Sequence, residues 1–412
     1  MKIFKNKKRK IIITTLVSTF VVTGLIITYY NSIPKEEPLI GAYIDGTYSE
    51  TLPSKGSGYK VEKIVCDNNK NASWDYNKWG IKLSNWGTRS RCNIYFKSLE
   101  NITIADKTFY LDEMQRCPTM NSDGTVTVTG AEDTYGYLCK AKDAYGDSYY
   151  YRGNVTNNYV KFANFYWRIV RINGDGTVRV IYDGTSAHAN GESSTDRQIG
   201  KSAFNEVPDD NAYVGYMYGT PGSATYEETH ANINNSTIKI YLDTWYENNI
   251  KGTTNEQYVK DNLFCNDRSF APNNSGTGAG TSETYYRWDD SSNNKMMLTC
   301  PQKNDAFTVS DTTNGNGSLT YRVGLVTTDE VVLAGGWRRL ENSNYYLYSG
   351  QDYWTMSPYG FNGGYAKGWH LYSAGCLFDS RVTGWYGARP VFNLSSDVLK
   401  NGNGTASDPY HA

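Results

Sequence analysis

A continuous apolar segment stands near the start of the chain. Residues 11–30 contain no charged side chain, whereas the ten residues before them carry six cations, Lys2, Lys5, Lys7, Lys8, Arg9 and Lys10. A helix of this length spans roughly 30 Å, the thickness of the hydrocarbon layer of a membrane. Since cations stay on the cytoplasmic side, the pattern predicts a cytoplasmic tail over 1–10 and a transmembrane signal-anchor helix over 11–30.

A cleaved secretory signal would show a similar basic and apolar start. The segment from Tyr29 to Pro34 offers no small-x-small cleavage site, which favours an uncleaved anchor. We therefore expect a single-pass type II protein of the cell membrane, with its C-terminal part outside the cell. The polar residues 31–40 then form a linker.

Residues 41–97 alternate between β-prone runs and turn-rich segments. The β-prone runs are Tyr59–Cys66, Trp79–Ser84 and Arg91–Phe96. They predict a small all-β module of the sandwich type, and a module of this size needs large side chains in its core. We expect three tryptophans to supply them, Trp74, Trp79 and Trp86.

Residues 98–134 have a weaker pattern and are assigned to a connector. Within it, Leu111–Met114 is a candidate helix start, and Thr125–Thr129 alternates as a strand does. The clearest hairpin follows in the last domain, residues 135–412. Two β-rich runs, 165–172 and 177–182, are separated by Asn-Gly-Asp-Gly, which supplies the positive φ that tight turns require.

Two helices are predicted among these strands. The first is capped by Ser236, ends near Asn248–Asn249, and places four apolar residues at helical spacing, Ile238, Tyr241, Leu242 and Trp245. The second runs over Asp329–Ala334, begins at Thr328 or Asp329, and stops at Gly335–Gly336. The fold class is therefore α+β, with a last domain that is rich in loops.

Charge argues against nucleic acid as a partner. Beyond the six N-terminal cations, 35 Lys and Arg stand against 42 Asp and Glu, a formal charge of about −7. Neutralising phosphates requires a basic face. The seven cysteines form no C-x-x-C motif, so zinc binding has no support.

Neighbouring cysteines suggest three disulfides in an exported protein. These are Cys66–Cys92, Cys117–Cys139 and Cys265–Cys300, although sequence leaves other pairings open. Cys376 would be left over, and we expect it to be a buried thiol.

Aromatic residues concentrate near the C terminus. Between Tyr345 and Tyr386, 13 of 42 residues are Tyr, Trp or Phe, against 14% aromatic residues in the whole chain. Rigid amphipathic rings mixed with Gly, Ser and Asn are typical of recognition surfaces, because they bury area at small entropic cost. We expect about half of the rings to fill the core, Trp354 and Trp385 first.

Several segments resemble membrane-anchored surface proteins of gut-dwelling Gram-positive bacteria, whose C-terminal domain is C-type-lectin-like. The segments are Trp167–Gly176, Ser236–Tyr246, Gly324–Val331, Tyr353–Pro358, Ala388–Leu394 and Gly402–Tyr410, together with Ser73–Phe96 in the small β-module. The resemblance implies a C-type-lectin-like ligand-binding domain over 135–412. It further implies an exposed loop for ligand binding between the Trp-x-x-Ser-Pro strand and the Arg-Pro strand, residues 359–385.

The predicted function is that of an adhesin or receptor, whose partner is an extracellular protein or glycan. The ligand-binding residues lie in or beside the predicted loop: Tyr359, Phe361, Tyr365, Trp369, His370, Tyr372, Phe378, Asp379, Arg381 and Tyr386. No cofactor and no metal ligand are predicted. A calcium-dependent carbohydrate-binding lectin is the alternative, although no segment has the acidic spacing of a calcium loop.

Catalysis has little support in the sequence. The four histidines, His188, His230, His370 and His411, lie in separate contexts, and no His-x-x-x-His or Gly-x-Ser-x-Gly motif occurs. A Cys376–His370 dyad is conceivable. The fold also resembles that of formylglycine-generating oxidases, which need two cooperating cysteines, but the aromatic region has Cys376 alone. We therefore predict a binding protein that is not an enzyme.

Overall fold

The computed structural model describes residues 39–53, 59–67, 72–75, 79–83, 91–98, 117–272, 274–289 and 294–412. These residues fall into two compact units, which divide between residues 103 and 104. The described part of the chain is rich in β-strand and has few helices. None of its helices combines the length and the apolar character that crossing a bilayer requires. The predicted anchor, Trp86 and the candidate helix at Leu111–Met114 lie outside the described residues.

The described residues of the first unit form six strands, β1 Leu39–Ile44, β2 Thr47–Ser49, β3 Tyr59–Cys66, β4 Ala72–Asp75, β5 Gly80–Leu83 and β6 Arg91–Ser98. Four of them form a sheet in the order β2-β1-β6-β3, in which β1 and β6 are parallel, and β4 pairs with β5. The predicted strands at Tyr59–Cys66 and Arg91–Phe96 are confirmed. The strand predicted over Trp79–Ser84 begins one residue later, at Gly80, and Ser84 lies outside the described residues.

Large rings fill the small core of this unit, as the sequence predicts. Trp74 and Trp79 pack edge to face, and each also contacts the buried Phe96. The predicted disulfide joins Cys66 to Cys92, which lie opposite each other on β3 and β6. This bridge ties two neighbouring strands together.

The second unit holds the remaining described elements. Its strands are β7 Thr119–Met120, β8 Val126–Thr127, β9 Gly136–Asp143, β10 Gly146–Gly153, β11 Tyr159–Phe162, β12 Phe165–Ile172, β13 Val178–Gly184, β14 Lys201–Ser202, β15 Met217–Tyr218, β16 Asn234–Asn235, β17 Phe264–Cys265, β18 Thr284–Tyr285, β19 Lys295–Met296, β20 Ala306–Phe307, β21 Tyr353–Asn362, β22 Tyr365–Leu371, β23 Leu377–Arg381, β24 Tyr386–Gly387 and β25 Val391–Leu394. Its α-helices are α1 Tyr226–Thr229, α2 Thr237–Asn249 and α3 Thr328–Ala334. Short 3-10 turns occur at Thr195–Arg197, Asn211–Val214, Glu256–Tyr258, Arg287–Asp289, Lys303–Asp305 and Ser396–Leu399.

Two six-stranded sheets dominate this unit. One has the order β25-β13-β12-β10-β9, with β11 also paired to β12. The other has the order β14-β24-β21-β22-β23, with β18 also paired to β21. Apolar residues from both sheets, from α2 and from α3 form one continuous core.

The predicted hairpin is confirmed as β12 and β13. Gly176 in its turn has φ +82°, a conformation that favours glycine. Asp175 accepts hydrogen bonds from the backbone N–H and the hydroxyl of Thr177, which is the role of a turn residue. The side chain thus organises the turn locally.

Both predicted helices are present. Ser236 caps α2 by accepting a hydrogen bond from the backbone N–H of Lys239. The second helix, α3, begins one residue earlier than predicted, at Thr328, because Thr327 and Glu330 form a reciprocal capping box. Gly335 at its C terminus has φ +120°.

The assignment of residues 98–134 to a connector needs a correction. Residues 117–134 belong to the second unit, where Val126 and Val128 are buried in the core. Cys117 is joined to Cys139 of β9, and β8 pairs with both β7 and β19. The alternating Thr and Val residues predict this strand correctly, although the strand covers only Val126–Thr127, and the Val128 N–H donates one further hydrogen bond to the Asn294 carbonyl.

The remaining cysteines follow the prediction. Cys265 of β17 is bonded to Cys300, and Cys376 is a free, buried thiol. The three disulfides therefore connect sequence neighbours, and one cysteine is left without a partner cysteine.

Candidate ligand-binding surface

The segment predicted as an exposed loop is a regular part of the second sheet. Residues 359–385 contain the end of β21 and all of β22 and β23, joined by tight turns. Gly363 and Gly364 form the first turn, with φ +59° and +78°. The second turn is closed by a hydrogen bond from the Gly375 N–H to the Tyr372 carbonyl. The rings therefore stand on strands, and strand alternation decides which of them face solvent.

Three predicted ligand-binding residues are buried. Phe361, Trp369 and His370 are 1%, 2% and 4% exposed, so they cannot contact a ligand in this structure. Toward its Leu371 end, β22 is covered on both faces, and only its Tyr365 end alternates between covered and open positions. The prediction that Phe361, Trp369 and His370 bind a ligand is therefore corrected: these three side chains pack in the interior.

Trp369 packs within an aromatic cluster on one face of the sheet. Its ring lies 5.4 Å from Tyr359 and 6.4 Å from Trp288, and the Arg338 guanidinium lies 5.3 Å from its centroid. Ring contacts of this kind add stability beyond area burial. Trp369 therefore packs beneath the side chains that cover this face of the sheet.

His370 packs on the opposite face. It stacks on Tyr386 at 4.3 Å and meets the buried Trp354 edge to face. Burial lowers the pKa of His370 below its usual range, so the ring is neutral at physiological pH. Trp354 is buried as predicted, whereas Trp385 is 64% exposed, contrary to the prediction that it fills the core.

Cations lie over several of the rings that are only partly buried. The Arg381 guanidinium lies 3.4 Å from the centroid of Tyr365, and Lys367 Nζ lies 5.7 Å from that of Tyr359. Arg339 lies 5.3 Å from Phe378. Tyr372, which is 43% exposed, meets Phe378 edge to face at 5.5 Å. Tyr365 and Lys367 lie on β22, and Phe378 and Arg381 lie on β23, the last strand of the sheet.

Asp379 lies between two of these cations. Its Oδ1 is 3.4 Å from Arg339 Nη2, and its Oδ2 is 4.0 Å from Lys367 Nζ. The side chain is 19% exposed, whereas that of Arg339 is 65% exposed. We define the edge surface as the group that combines these rings and charges around both faces of β23: Arg339, Tyr359, Tyr365, Lys367, Tyr372, Phe378, Asp379 and Arg381. Asp379 and Arg381 pair with Trp369 and Lys367 on one face, whereas Phe378 pairs with His370 on the other. Tyr386 lies at the margin of the edge surface, half-buried beside His370. Its hydroxyl shares a hydrogen bond of 2.9 Å with Ser380 Oγ.

Sequence reasoning missed two members of this surface. Lys367 lies two residues from Tyr365 and from Trp369, so a strict two-residue alternation would have placed it beside them. Arg339 lies about forty residues before Asp379 in the sequence. A parallel bridge between Arg338 and Leu377 places it beside β23. No local sequence pattern predicts that bridge.

A thiol-based site finds no support in this region. Cys376 is 1% exposed, and burial raises the pKa of its thiol, which disfavours the reactive thiolate. Within the described residues, no hydrogen bond joins Cys376 to His370. The described part of the chain also holds no group of three or more His, Cys, Asp or Glu arranged to hold a metal ion.

A small cavity of about 20 Å³ lies elsewhere in the second unit. Its walls include an ion-pair network in which Glu330 contacts Arg171 and Arg179, while Arg287 contacts Asp267 and Asp329. A volume of this size holds about one water molecule, far below the several hundred Å³ of a ligand pocket. The cavity is a feature of the buried network.

Comparison of the chain with protein-family models, with curated proteins and with solved structures finds no match. The geometry of the edge surface is therefore the basis for a functional hypothesis.

Proposed function

We propose that the protein is a cell-surface adhesin or receptor, anchored in the membrane through residues 11–30, whose C-type-lectin-like domain binds an extracellular ligand through the edge surface. One observation carries the proposal: partly exposed rings lie against cations along the edge strand β23 and its neighbour β22. Tyr365 with Arg381 and Phe378 with Arg339 are the clearest pairs. Aromatic and arginine side chains are the types that dominate the energetics of interfaces.

The surface is well placed for recognition because its support is rigid. Trp369 is buried on the same face of β22 as Tyr365 and Lys367, Phe361 is buried on the opposite face, and β22 is paired on both sides, by β21 and by β23. A preorganised surface loses little side-chain entropy on binding. The exposed Tyr372 and Trp385 extend the apolar area at the two ends of β23.

The test is a protein and glycan array probed with the full chain in detergent micelles. A triple variant, Tyr365→Ser, Tyr372→Ser and Phe378→Ser, should lose capture, because it removes the accessible rings and leaves Trp369 in place. The matched control replaces three exposed rings outside the edge surface, Tyr48→Ser, Tyr135→Ser and Phe270→Ser, and should keep capture.

Both variants should retain cooperative thermal unfolding. Capture that survives the triple variant would place the binding site elsewhere on the protein. A chelator arm addresses the carbohydrate alternative, since a calcium-dependent lectin loses binding when the ion is removed.

A further inference from the structure

Strand β23 forms one border of its sheet. It is the last strand in the order β14-β24-β21-β22-β23, so one side of its backbone faces away from the sheet. The first outward position is occupied: the Leu377 N–H donates to the Trp337 carbonyl, and the Leu377 carbonyl accepts from the Arg339 N–H. The covering segment then leaves the edge at the exposed Leu340.

The outward positions beyond Leu377 are open. Backbone groups alternate in direction along a strand, so Asp379 and Arg381 point the same way as Leu377, while Phe378 and Ser380 face β22. The Arg381 carbonyl accepts from the Gly384 N–H. Within the described residues, the Asp379 N–H, the Asp379 carbonyl and the Arg381 N–H have no backbone partner. Such an edge accepts an additional strand.

The charged residues of the edge surface itself carry a positive excess. Arg339, Lys367 and Arg381 stand against the single carboxylate of Asp379, which the first two share. No ion pair joins Arg381 to any described residue. This local charge contrasts with the formal charge of about −7 for the residues after the basic N-terminal tail, 35 Lys and Arg against 42 Asp and Glu.

The stacked arginine also indicates the chemistry of the ligand. Arg381 covers one face of Tyr365, so that face is closed to the ring of a sugar. A guanidinium stacked in this way keeps its N–H edge directed outward, where it binds a carboxylate in bidentate geometry. Lys367 likewise lies over Tyr359, whose ring also packs against Tyr285 and Trp369.

We propose that the edge surface binds an acidic segment of another protein in extended conformation, which adds a strand to β23 beside Asp379 and Arg381. Its backbone pairs with the open edge, and its carboxylates meet Arg381, Lys367 and Arg339. The proposal rests on the proposed function and specifies the class of its partner.

The first experiment measures fluorescence anisotropy with the full chain in micelles and a labelled peptide of alternating aspartate and valine. We expect saturable binding that weakens about tenfold or more in Arg381→Gln, because a charge-assisted hydrogen bond is lost. Lys161→Gln is the matched control, since Lys161 also lies over a ring, at 5.7 Å from Tyr166, but elsewhere in the unit. Binding should also weaken in about 1 M salt.

The second experiment separates strand addition from simple charge attraction. Two forms of the peptide carry N-methyl groups on alternate residues, in the two possible phases. Strand addition requires that one phase loses binding by about tenfold or more while the other retains it, because only one set of N–H groups faces the protein. Equal binding of both phases overturns the proposed strand addition.

The outcomes distinguish this proposal from the proposed function. If the acidic peptide fails to bind, or binds Arg381→Gln as tightly as the native protein, the partner class is overturned. A sulfated oligosaccharide captured in its place, and lost in the triple serine variant, would overturn the partner class and leave the binding function standing. If the triple variant still captures the array ligand as well as the native protein does, the edge surface is not the binding site.

Discussion

Arg389 Nη2 lies 2.8 Å from Asp183 Oδ1, in the fully buried centre of the second unit. Arg197 Nε lies 2.8 Å from the same oxygen, and Arg168 Nη1 lies 3.9 Å from the other. Three guanidinium groups thus surround one carboxylate. Their other donors reach neutral oxygens, such as the Leu347 carbonyl for Arg389 and the side-chain oxygen of Asn158 for Arg168, so the excess charge is distributed over fixed dipoles.

Replacing Asp183 by Asn should lower the free energy of unfolding by about 3–5 kcal/mol, because it leaves buried cations without their counter-ion. Urea unfolding followed by circular dichroism measures the change. Asp147→Asn is the control: Asp147 forms a half-exposed pair with Lys140 at 2.7 Å, and its loss should change stability by about 1 kcal/mol or less. Equal effects of the two substitutions would show that the arginines do not depend on Asp183.

Elements with a local chemical signature could be predicted from sequence. The Asn-Gly-Asp-Gly turn gives β12 and β13, Ser236 gives the start of α2, and short separations give the three disulfides. Each depends on residues that are close along the chain.

Features that depend on long-range pairing could not be predicted. Asp183 gathers arginines from three separate segments, and Arg339 reaches β23 through a bridge that no local pattern specifies. The aromatic segment is predicted as a loop on its composition and on the resemblance, and neither indicates the pairing of β21 with β22. The register of these two strands shifts between Pro358 and Gly360, which interrupts the two-residue alternation. Composition identified the rings but gave no information on which face of the sheet they occupy.

Buried and exposed rings of the aromatic segment should differ in how much their replacement changes stability. Trp369→Ser should lower the free energy of unfolding by about 3–5 kcal/mol, since it empties a site packed by Tyr359 and Trp288. Tyr372→Ser removes a ring that is 43% exposed and should change stability by only about 0.5–1 kcal/mol. Thermal and urea unfolding of both variants measures this contrast. Similar losses would contradict the assignment of Trp369 to support and of Tyr372 to the surface.

Stability should fall as the pH drops below about 6.5, because His230 is buried in its neutral form. Burial and the neighbouring Arg268 hold the pKa of His230 well below the ordinary value of 6.5. Its Nε2 is 2.9 Å from the Gly278 carbonyl, and Arg268 Nη1 is 3.2 Å from Nδ1. The unfolded chain takes up a proton at this histidine and the folded chain does not, so acid favours unfolding.

The slope from His230 should reach about 1.4 kcal/mol per pH unit below pH 6.5. Burial lowers the pKa of His370 too, which adds to the effect in the same direction. Urea unfolding of the native protein and of His230→Gln, compared between about pH 7.5 and about pH 5.5, isolates the share of His230. His411→Gln is the control, since this residue is exposed and, within the described residues, its side chain forms one hydrogen bond, to the Pro409 carbonyl. A native profile that is flat in this range would contradict the neutral burial of His230.

Alkylation should find one reactive thiol in the chain, and only after unfolding. Three disulfides occupy six of the seven cysteines, and Cys376 is 1% exposed. Burial also raises the pKa of its thiol, so the nucleophilic thiolate is disfavoured in the folded state. Mass spectrometry after iodoacetamide treatment should show no adduct on the native protein and one adduct in denaturant without reductant. Cys376→Ala should show none under either condition, whereas a second adduct in denaturant would mean that a predicted bridge is absent.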